Sequence, residues 1–499
     1  MKTRFAPSPT GFLHIGTART ALFNYLLAKK NKGSFVLRIE DTDRERSEKR
    51  FKEDIIETLD WLNIKWDEGP YNQSERGEVY EKYLKKLLEE NKAYYCFCSK
   101  EKLEAKKQSR VSNGLPPKYD GECSRLKKEE VEERLSRGED SVIRLRIPEE
   151  KIETKDLIRG KITFDAGLIG DIVIARSLKE PLYNFSVVID DFEMEITHVI
   201  RGEDLLSNTP KQIILSRYLG FAPPKYGHLP MILGPDKSKL SKRHGASAVS
   251  DYRREGYLPE AIINFLALLG WSPKDNREFF TIPELIKEFE VEKVNKSNAI
   301  FNYKKLDYVN GYYIRKKPLE EITSLCVPYL KEYITLHFKN REVLPNLTGI
   351  MGRKIEPSFI ISKTGEEISF AHLQKIISLY KERMKKLSEI TELTDYFFKK
   401  ELVYDKEILK WKDMDYKDIS SVLKDLLDLI KNIKEWNIES LEGKILSFSS
   451  EKGDRGRVLW PFRAAITGKR SSAGPFEVAE ALGKEKTIER IEKAIILCK

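Results

Sequence analysis

Residues 4–19 constrain the fold more than any other stretch of this chain. They read Arg-Phe-Ala-Pro-Ser-Pro-Thr-Gly-Phe-Leu-His-Ile-Gly-Thr-Ala-Arg. The pattern predicts a short strand, a Pro/Gly-rich loop and then a helix. Ala18, Leu22, Tyr25 and Leu26 recur at helical spacing, and Gly33 lies just past the end. Pro7, Ser8, Pro9, Gly11 and Gly16 are small or rigid, so the backbone between strand and helix can come close to a ligand. A helix start in that place is expected to offer unpaired N–H groups and a positive dipole end to a phosphate. His14 adds a side-chain donor at the same turn. Alone, the stretch is a weak nucleotide-site signal.

The rest of the chain repeats the alternation of strand and helix. Residues 35–40 read as a second strand, with Glu40 and the loop Asp41-Thr42-Asp43 at its carboxyl end, where open α/β sheets bind ligands. A surface pairing of Glu40 or Asp41 with Arg44 or Arg46 is the plainer alternative. Phe51, Ile55, Leu59 and Leu62 mark one helix, and Val79, Tyr83, Leu87 and Leu88 mark the inward face of another over residues 75–90. This order predicts a doubly wound, Rossmann-type α/β sheet. Near residue 96 the pattern breaks into short strands and a charged helix, read as an inserted α+β module over residues 96–182. The sheet resumes with a helix over residues 181–191 and a strand over 196–201. Thr209-Pro210-Lys211-Gln212 reads as a helix start with a capping box, closed by Gly220. A last strand over residues 228–233 delivers the loop Lys239-Leu240-Ser241-Lys242-Arg243, opened by Gly234-Pro235-Asp236. Beyond residue 245 helix follows helix.

At 499 residues the chain is too long for one compact domain. Forty per cent hydrophobic residues suffice for real cores, and no apolar run approaches the roughly 20 residues of a membrane span. No signal-peptide pattern opens the chain, so a cytoplasmic protein without a membrane partner is expected. Eighty-nine basic against 79 acidic residues leave a net charge of +10, compatible with a phosphate-rich partner. Five cysteines, an odd number, make no disulfide framework.

His14-Ile15-Gly16-Thr17 and Lys239-Leu240-Ser241-Lys242-Arg243, in this order and with Glu40-Asp41-Thr42-Asp43 between them, resemble the paired "HIGH" and "KMSKS" signatures of class I aminoacyl-tRNA synthetases. The full wording is similar to the bacterial-type glutamyl-tRNA synthetases. Gly456 to Gly468, Gly-Arg-Val-Leu-Trp-Pro-Phe-Arg-Ala-Ala-Ile-Thr-Gly, resembles the terminal motif of their helical anticodon-binding cage. The resemblance runs nearly end to end, firmest before residue 310. It implies a catalytic domain in two halves, residues 1–95 and 183–245, with residues 96–182 as the connective module that grips the tRNA acceptor end. A helical stem-contact region over residues 246–310 and an all-helical anticodon-binding region over 311–499 complete the layout.

The implied reaction is ATP-dependent activation of L-glutamate to glutamyl adenylate and transfer to the 3′ end of tRNA(Glu). Whether tRNA(Gln) is charged too stays open, and the family default is a monomer. ATP is expected to carry its own Mg²⁺. The resemblance places Pro7, His14, Gly16, Thr17, Lys239, Leu240, Ser241, Lys242 and Arg243 at ATP, with His14, Lys239 and Lys242 acting on the reacting phosphates. It places Arg4, Ala6, Ser8, Glu40, Tyr183 and Arg201 at glutamate. For Arg201 a pairing with Glu203 or Asp204 is the alternative. Cys96, Cys98 and Cys123 look like the zinc knuckle of some members, but Arg125 stands where a fourth ligand would be and cannot bind a metal. No structural zinc is therefore expected, with Asp120 or Glu122 the remaining candidates to complete a site. A glutaminyl-type synthetase, a truncated tRNA-modifying homologue, a nucleotidyltransferase of the same fold and a non-catalytic RNA-binding descendant are the competing readings. The helical tail and the intact second signature weigh against them.

Overall fold

The computed structural model describes residues 1–43, 45–241, 243, 245–337 and 358–499. Lys242, expected at the reacting phosphates, lies outside the described residues, as does Arg44. The chain forms two compact units, one of residues 1–253 with 259–306, the other of residues 254–258 with 307–499.

The first unit is built on a five-stranded parallel sheet. Its elements are β1 (Lys2–Phe5), α1 (Ile15–Lys30), β2 (Ser34–Ile39), α2 (Lys49–Trp61), β3 (Glu68–Asn72) and α3 (Gly77–Glu89). After an insertion come α6 (Tyr183–Glu193), β10 (His198–Gly202), α7 (Thr209–Leu219) and β11 (Lys225–Leu229). The insertion holds β4 (Ala93–Cys96), α4 (Lys100–Ser112), α5 (Lys128–Ser136), β5 (Val142–Leu145), β6 (Lys151–Asp156), β7 (Gly160–Asp165), β8 (Ile172–Ser177) and β9 (Glu180–Pro181). Strand order in the parallel sheet is β11-β10-β1-β2-β3, as the doubly wound reading predicts. The order reverses between β1 and β10, and at such a switch point the carboxyl ends of two strands diverge and leave a crevice.

α1 is buried on nearly every face, from Ile15 to Ala28, because it packs across β1 and β10 and under later helices. Asn24 reaches from its middle to the carbonyl of Ile200 at 2.9 Å, which ties it to β10. At its end Lys32, not Gly33, takes the left-handed conformation (φ 51°). Gly33 is needed for a different reason: a Cβ there would lie 1.9 Å from the Met1 carbonyl oxygen.

Several expectations need correcting. α3 buries Tyr80, Tyr83, Leu84 and Leu87, whereas Val79 and Leu88 are only partly covered. The edge strand β3 is legible only with difficulty, since Glu-Gly-Pro-Tyr-Asn holds a single β-former, Tyr71, and proline is tolerated in a sheet only at an edge. β6 is hard to read for a different reason: four of the six residues in Lys-Ile-Glu-Thr-Lys-Asp are charged, and it pairs only with β7 in a two-stranded hairpin. The last strand is shifted to Lys225–Leu229, with Ile232–Leu233, here β12, a separate short piece.

Among its described residues the second unit is helical but for a three-stranded antiparallel sheet of Ile334–His337, Ser358–Ile361 and Glu367–Ser369, which the all-helical expectation does not contain. Its terminal motif is the helix Gly456–Thr467, capped by Gly468 at φ 65°. Gly456 is obligatory there, because a Cβ would meet the Trp411 ring at 2.3 Å. Among the described residues no helix is long and apolar enough to cross a membrane.

Candidate active site

The crevice between β1 and β10 gathers most of the predicted glutamate residues. Arg4 comes from the carboxyl end of β1, Arg201 from that of β10 and Glu40 from just past β2. Tyr183 opens α6 close enough to Glu40, Arg201, Arg4 and Asp191 that all four act on its hydroxyl, whose pKa burial pushes up. Ala6 is partly covered and Ser8 exposed at the rim.

Beneath them lies a buried ionic network that the sequence reading did not name. Arg38 is wholly buried and holds Asp191 at 2.8 Å and Glu40 at 3.1 Å, with Asp190 at 3.8 Å. Arg4 meets the same Asp191 oxygen at 3.2 Å. Asp190 in turn accepts from Gln73 (2.8 Å), Tyr80 (2.8 Å) and Arg76 (2.7 Å). Buried charges persist only when paired, and each of these is, although Arg38 Nε reaches Asp190 only as an ion pair and not as a hydrogen bond. Burial acts to raise Asp191, yet Arg4 and Arg38 hold it below the usual carboxylate range. Glu40 ends up the other way: burial pushes its carboxyl up against the pull of Arg38 and Arg4. A carboxylate in that state gains from an arriving ammonium. The signal was present in the sequence as a lone arginine inside the apolar run Phe-Val-Leu-Arg-Ile and as two aspartates ending an apolar helix.

Arg201 differs from the other buried arginines of this cluster in its partners. Nε donates to His228 at 3.0 Å, Nη1 to Gln212 at 2.8 Å and Nη2 to the Thr209 hydroxyl at 2.9 Å. The Tyr226 ring lies 5.1 Å beneath its Cζ. All three hydrogen-bond partners carry no charge. Glu203, the alternative partner, is taken by Arg159 and by the Met231 N–H at 2.9 Å. The expected capping box at Thr209 and Gln212 is not formed. Asn208 is the N-cap, and both side chains turn inward to hold Arg201.

The two signatures also meet. His14 caps α1, and its Nδ1 accepts from the Gly16 N–H at 3.0 Å, which leaves the proton on Nε2, free to point at a ligand. Burial, and then the nearby Lys239, lower its pKa, so the ring is neutral. The expectation of unpaired N–H groups at this helix start fails. Ile15 N–H donates to Ser247 O, Gly16 to His14 Nδ1, and Thr17 and Ala18 to His14 O. The loop before it is pinned as well: Pro7 O accepts from Glu40 N–H, Pro9 O from Glu48 N–H, and Leu13 N–H donates to Asp54 at 2.7 Å. Lys239 and Leu240 fold back on Leu233 and Ile232. Val249 N–H closes the link by donating to Leu13 O at 2.9 Å, so the segment after the second signature is stitched to the first. Arg243 is exposed and pairs within its own loop with Asp236 and Ser238.

In the inserted module Cys96, Cys98 and Cys123 converge, with their sulfurs within 4.8 Å of one another. The Tyr119 hydroxyl stands 3.4 Å from Cys98 and 3.5 Å from Cys96. A hydrogen bond from Cys123 pulls the Cys96 thiol well below its ordinary value. Arg125 is exposed, and Asp120 and Glu122 are taken up by Lys106 and Lys102.

The fold and site therefore define a doubly wound α/β protein with buried arginines and carboxylates at the switch point of its sheet and His14 and Lys239 close together beside it. Residues 1–308 match the family described as tRNA synthetases class I (E and Q), catalytic domain, and residues 325–495 match an anticodon binding domain. The chain belongs to this family of class I tRNA synthetases. It is 44% identical over 497 residues to glutamate–tRNA ligase 2 of Thermoanaerobacter pseudethanolicus, covering 99% of this chain and 98% of that one. It is also 44% identical to glutamate–tRNA ligase of Thermodesulfovibrio yellowstonii, with 99% of each chain covered. A crystal structure of a glutamate tRNA ligase from Elizabethkingia meningosepticum in complex with its amino acid superposes with a TM-score of 0.85 at 33% identity, over the whole of both chains.

Proposed function

We propose the following division of work among the residues of this site. The chain is a glutamate–tRNA ligase: it activates L-glutamate with ATP and transfers the glutamyl group to tRNA. The glutamate α-carboxylate attacks the α-phosphorus and pyrophosphate leaves, with no protein nucleophile, so alignment and charge neutralisation do the work. Arg201, assisted by Arg4, receives the side-chain carboxylate. Glu40 takes the α-ammonium, and Tyr183 with Ala6 and Ser8 shapes the rim. His14 donates from Nε2 to the ATP phosphates beside Pro7, Gly16 and Thr17. Lys239, with Lys242 and the rest of the second signature, neutralises the departing pyrophosphate. Mg²⁺ arrives with ATP. The partner is tRNA(Glu), its acceptor end at the inserted module and its anticodon at the second unit, in a cytoplasmic monomer.

The observation that carries the amino-acid assignment is Arg201, a buried guanidinium whose three hydrogen-bond partners are neutral. Three of its five N–H groups are used, leaving one on each Nη. A carboxylate can take both; an amide meets them with only one acceptor and no charge. Pyrophosphate exchange with wild-type enzyme should run with glutamate and not with glutamine, and it should be tested with and without tRNA(Glu). Exchange at equal rates with both amino acids contradicts the assignment.

The cysteine cluster alters the ground for expecting no zinc. That expectation rested on Arg125, and the structure puts the Tyr119 hydroxyl, not Arg125, beside the three thiols. Three sulfurs and one oxygen suit a tetrahedral divalent ion. Such an ion would tie β4 to the turn that carries Tyr119 and Cys123. Elemental analysis should find about one zinc per chain, lost in Cys98→Ser; metal-free protein as purified contradicts the fit.

A further inference from the structure

Asp156 and His228 form a wholly buried pair, of which only the histidine has a role so far, as a partner of Arg201. Asp156 ends β6, in the inserted hairpin, while His228 lies on β11 of the catalytic sheet. Asp156 Oδ2 is 2.6 Å from His228 Nδ1. Its other oxygen accepts from the N–H groups of Ile158 and Arg159, both at 2.9 Å. A carboxylate with that many donors stays ionised, so it accepts and His228 Nδ1 must carry the ring proton. His228 Nε2 is then a lone pair. It faces the Nε–H of Arg201 at 3.0 Å and the Thr209 hydroxyl at 3.2 Å.

We propose that Asp156 and His228 are positioning residues for glutamate recognition. Asp156 fixes the histidine tautomer, the histidine anchors the side-on edge of the Arg201 guanidinium, and the end-on pair of Nη N–H groups is thereby presented to the substrate carboxylate. The inserted module, on this account, contributes to the amino-acid pocket through a single aspartate. The geometry supports it twice over. Nε and Nη2 lie on the same edge of a guanidinium, and they go to His228 and Thr209, which are themselves adjacent. Leu157 N–H also donates to Tyr226 O at 2.8 Å, so the hairpin end is registered on the strand that carries both the histidine and the ring beneath Arg201.

The proposal rests on Arg201 as the reader of glutamate, and the test separates the two. Asp156→Asn keeps size and shape but places an amide donor opposite Nδ1. That moves the ring proton to Nε2, against Arg201. With unfolding temperature and tRNA affinity monitored, the variant should raise the glutamate KM on the order of tenfold or more while leaving the ATP KM unchanged. A uniform loss across glutamate, ATP and tRNA marks a merely structural role and overturns the proposal, as does an unchanged glutamate KM where Arg201→Ala raises it. If Arg201→Ala itself keeps the glutamate KM, the reading of Arg201 falls and the proposal with it. A second measurement does not depend on Asp156→Asn. In wild-type protein labelled with ¹⁵N at its six histidines, one ring, missing from spectra of His228→Asn, should show a protonated Nδ1 and a bare Nε2. The opposite tautomer overturns the proposal.

Discussion

Arg38→Met should destabilise the fold by about 3–5 kcal/mol, the usual cost of removing one partner from a buried ionic group. Arg38 is fully buried, and three carboxylates face it: Asp191, Glu40 and Asp190. Methionine replaces the packing volume but none of the charge. Asp190 retains Arg76, Tyr80 and Gln73, and Asp191 retains Arg4, so Glu40 loses most. The loss should depend on pH with a definite sign. Glu40 is already pushed up by burial, and without Arg38 its folded pKa rises further above the unfolded value. A carboxyl raised on folding favours the native state at low pH and costs stability as pH rises through the folded value. The deficit of Arg38→Met against wild type should therefore be largest near neutral pH and shrink towards pH 4–5. Urea unfolding at both pH values measures it. A variant within about 0.5 kcal/mol of wild type at pH 7 would show that the network does not need its central cation.

The sequence made the sheet legible and hid much of what lines its crevice. Apolar stripes and runs bounded by turn residues located β1, α1, β2, α2, α6 and β10 to within a few residues; α2 has a helical stripe, whereas α1 and β2 are buried nearly all round and read as apolar runs. β3 and β6 were missed because an edge strand and a surface hairpin carry little such pattern. Of the site residues named by resemblance, Arg4, Glu40 and Arg201 lie at strand ends, His14 and Tyr183 at helix starts, and Lys242 outside the described residues. Arg38, Asp190 and Asp191 had no motif to announce them; only their charge within apolar segments marked them, and the partners lie some 150 residues apart in sequence. Thr209 and Gln212 teach a sharper lesson. A local rule, the capping box, explained both side chains, and a distant arginine outcompeted it. Local hydrogen bonds at a helix end are worth about 1 kcal/mol, less than satisfying a buried guanidinium. Likewise the group beside the three cysteines is not Arg125, two residues after Cys123, but Tyr119, which folding brings from four residues before it.

The central claim is that Arg201 reads the substrate carboxylate, and Arg201→Ala tests it most directly. Truncating one side of a buried, hydrogen-bonded charge pair costs about 2–5 kcal/mol, which is roughly 30-fold to several thousandfold. The vacancy also leaves His228, Thr209 and Gln212 without their shared donor, so thermal unfolding must first show that the variant is folded. Glutamine binds without using a full charge–charge contact and should lose far less. The measurement is kcat/KM in pyrophosphate exchange, with tRNA(Glu) present, for glutamate and for glutamine, in wild type and Arg201→Ala. The predicted result is a collapse of the glutamate value by at least 30-fold, with the ATP KM unchanged and the preference over glutamine largely gone. A folded Arg201→Ala enzyme that keeps its glutamate KM and still excludes glutamine would contradict the account and leave Arg4 as the residue that distinguishes the two.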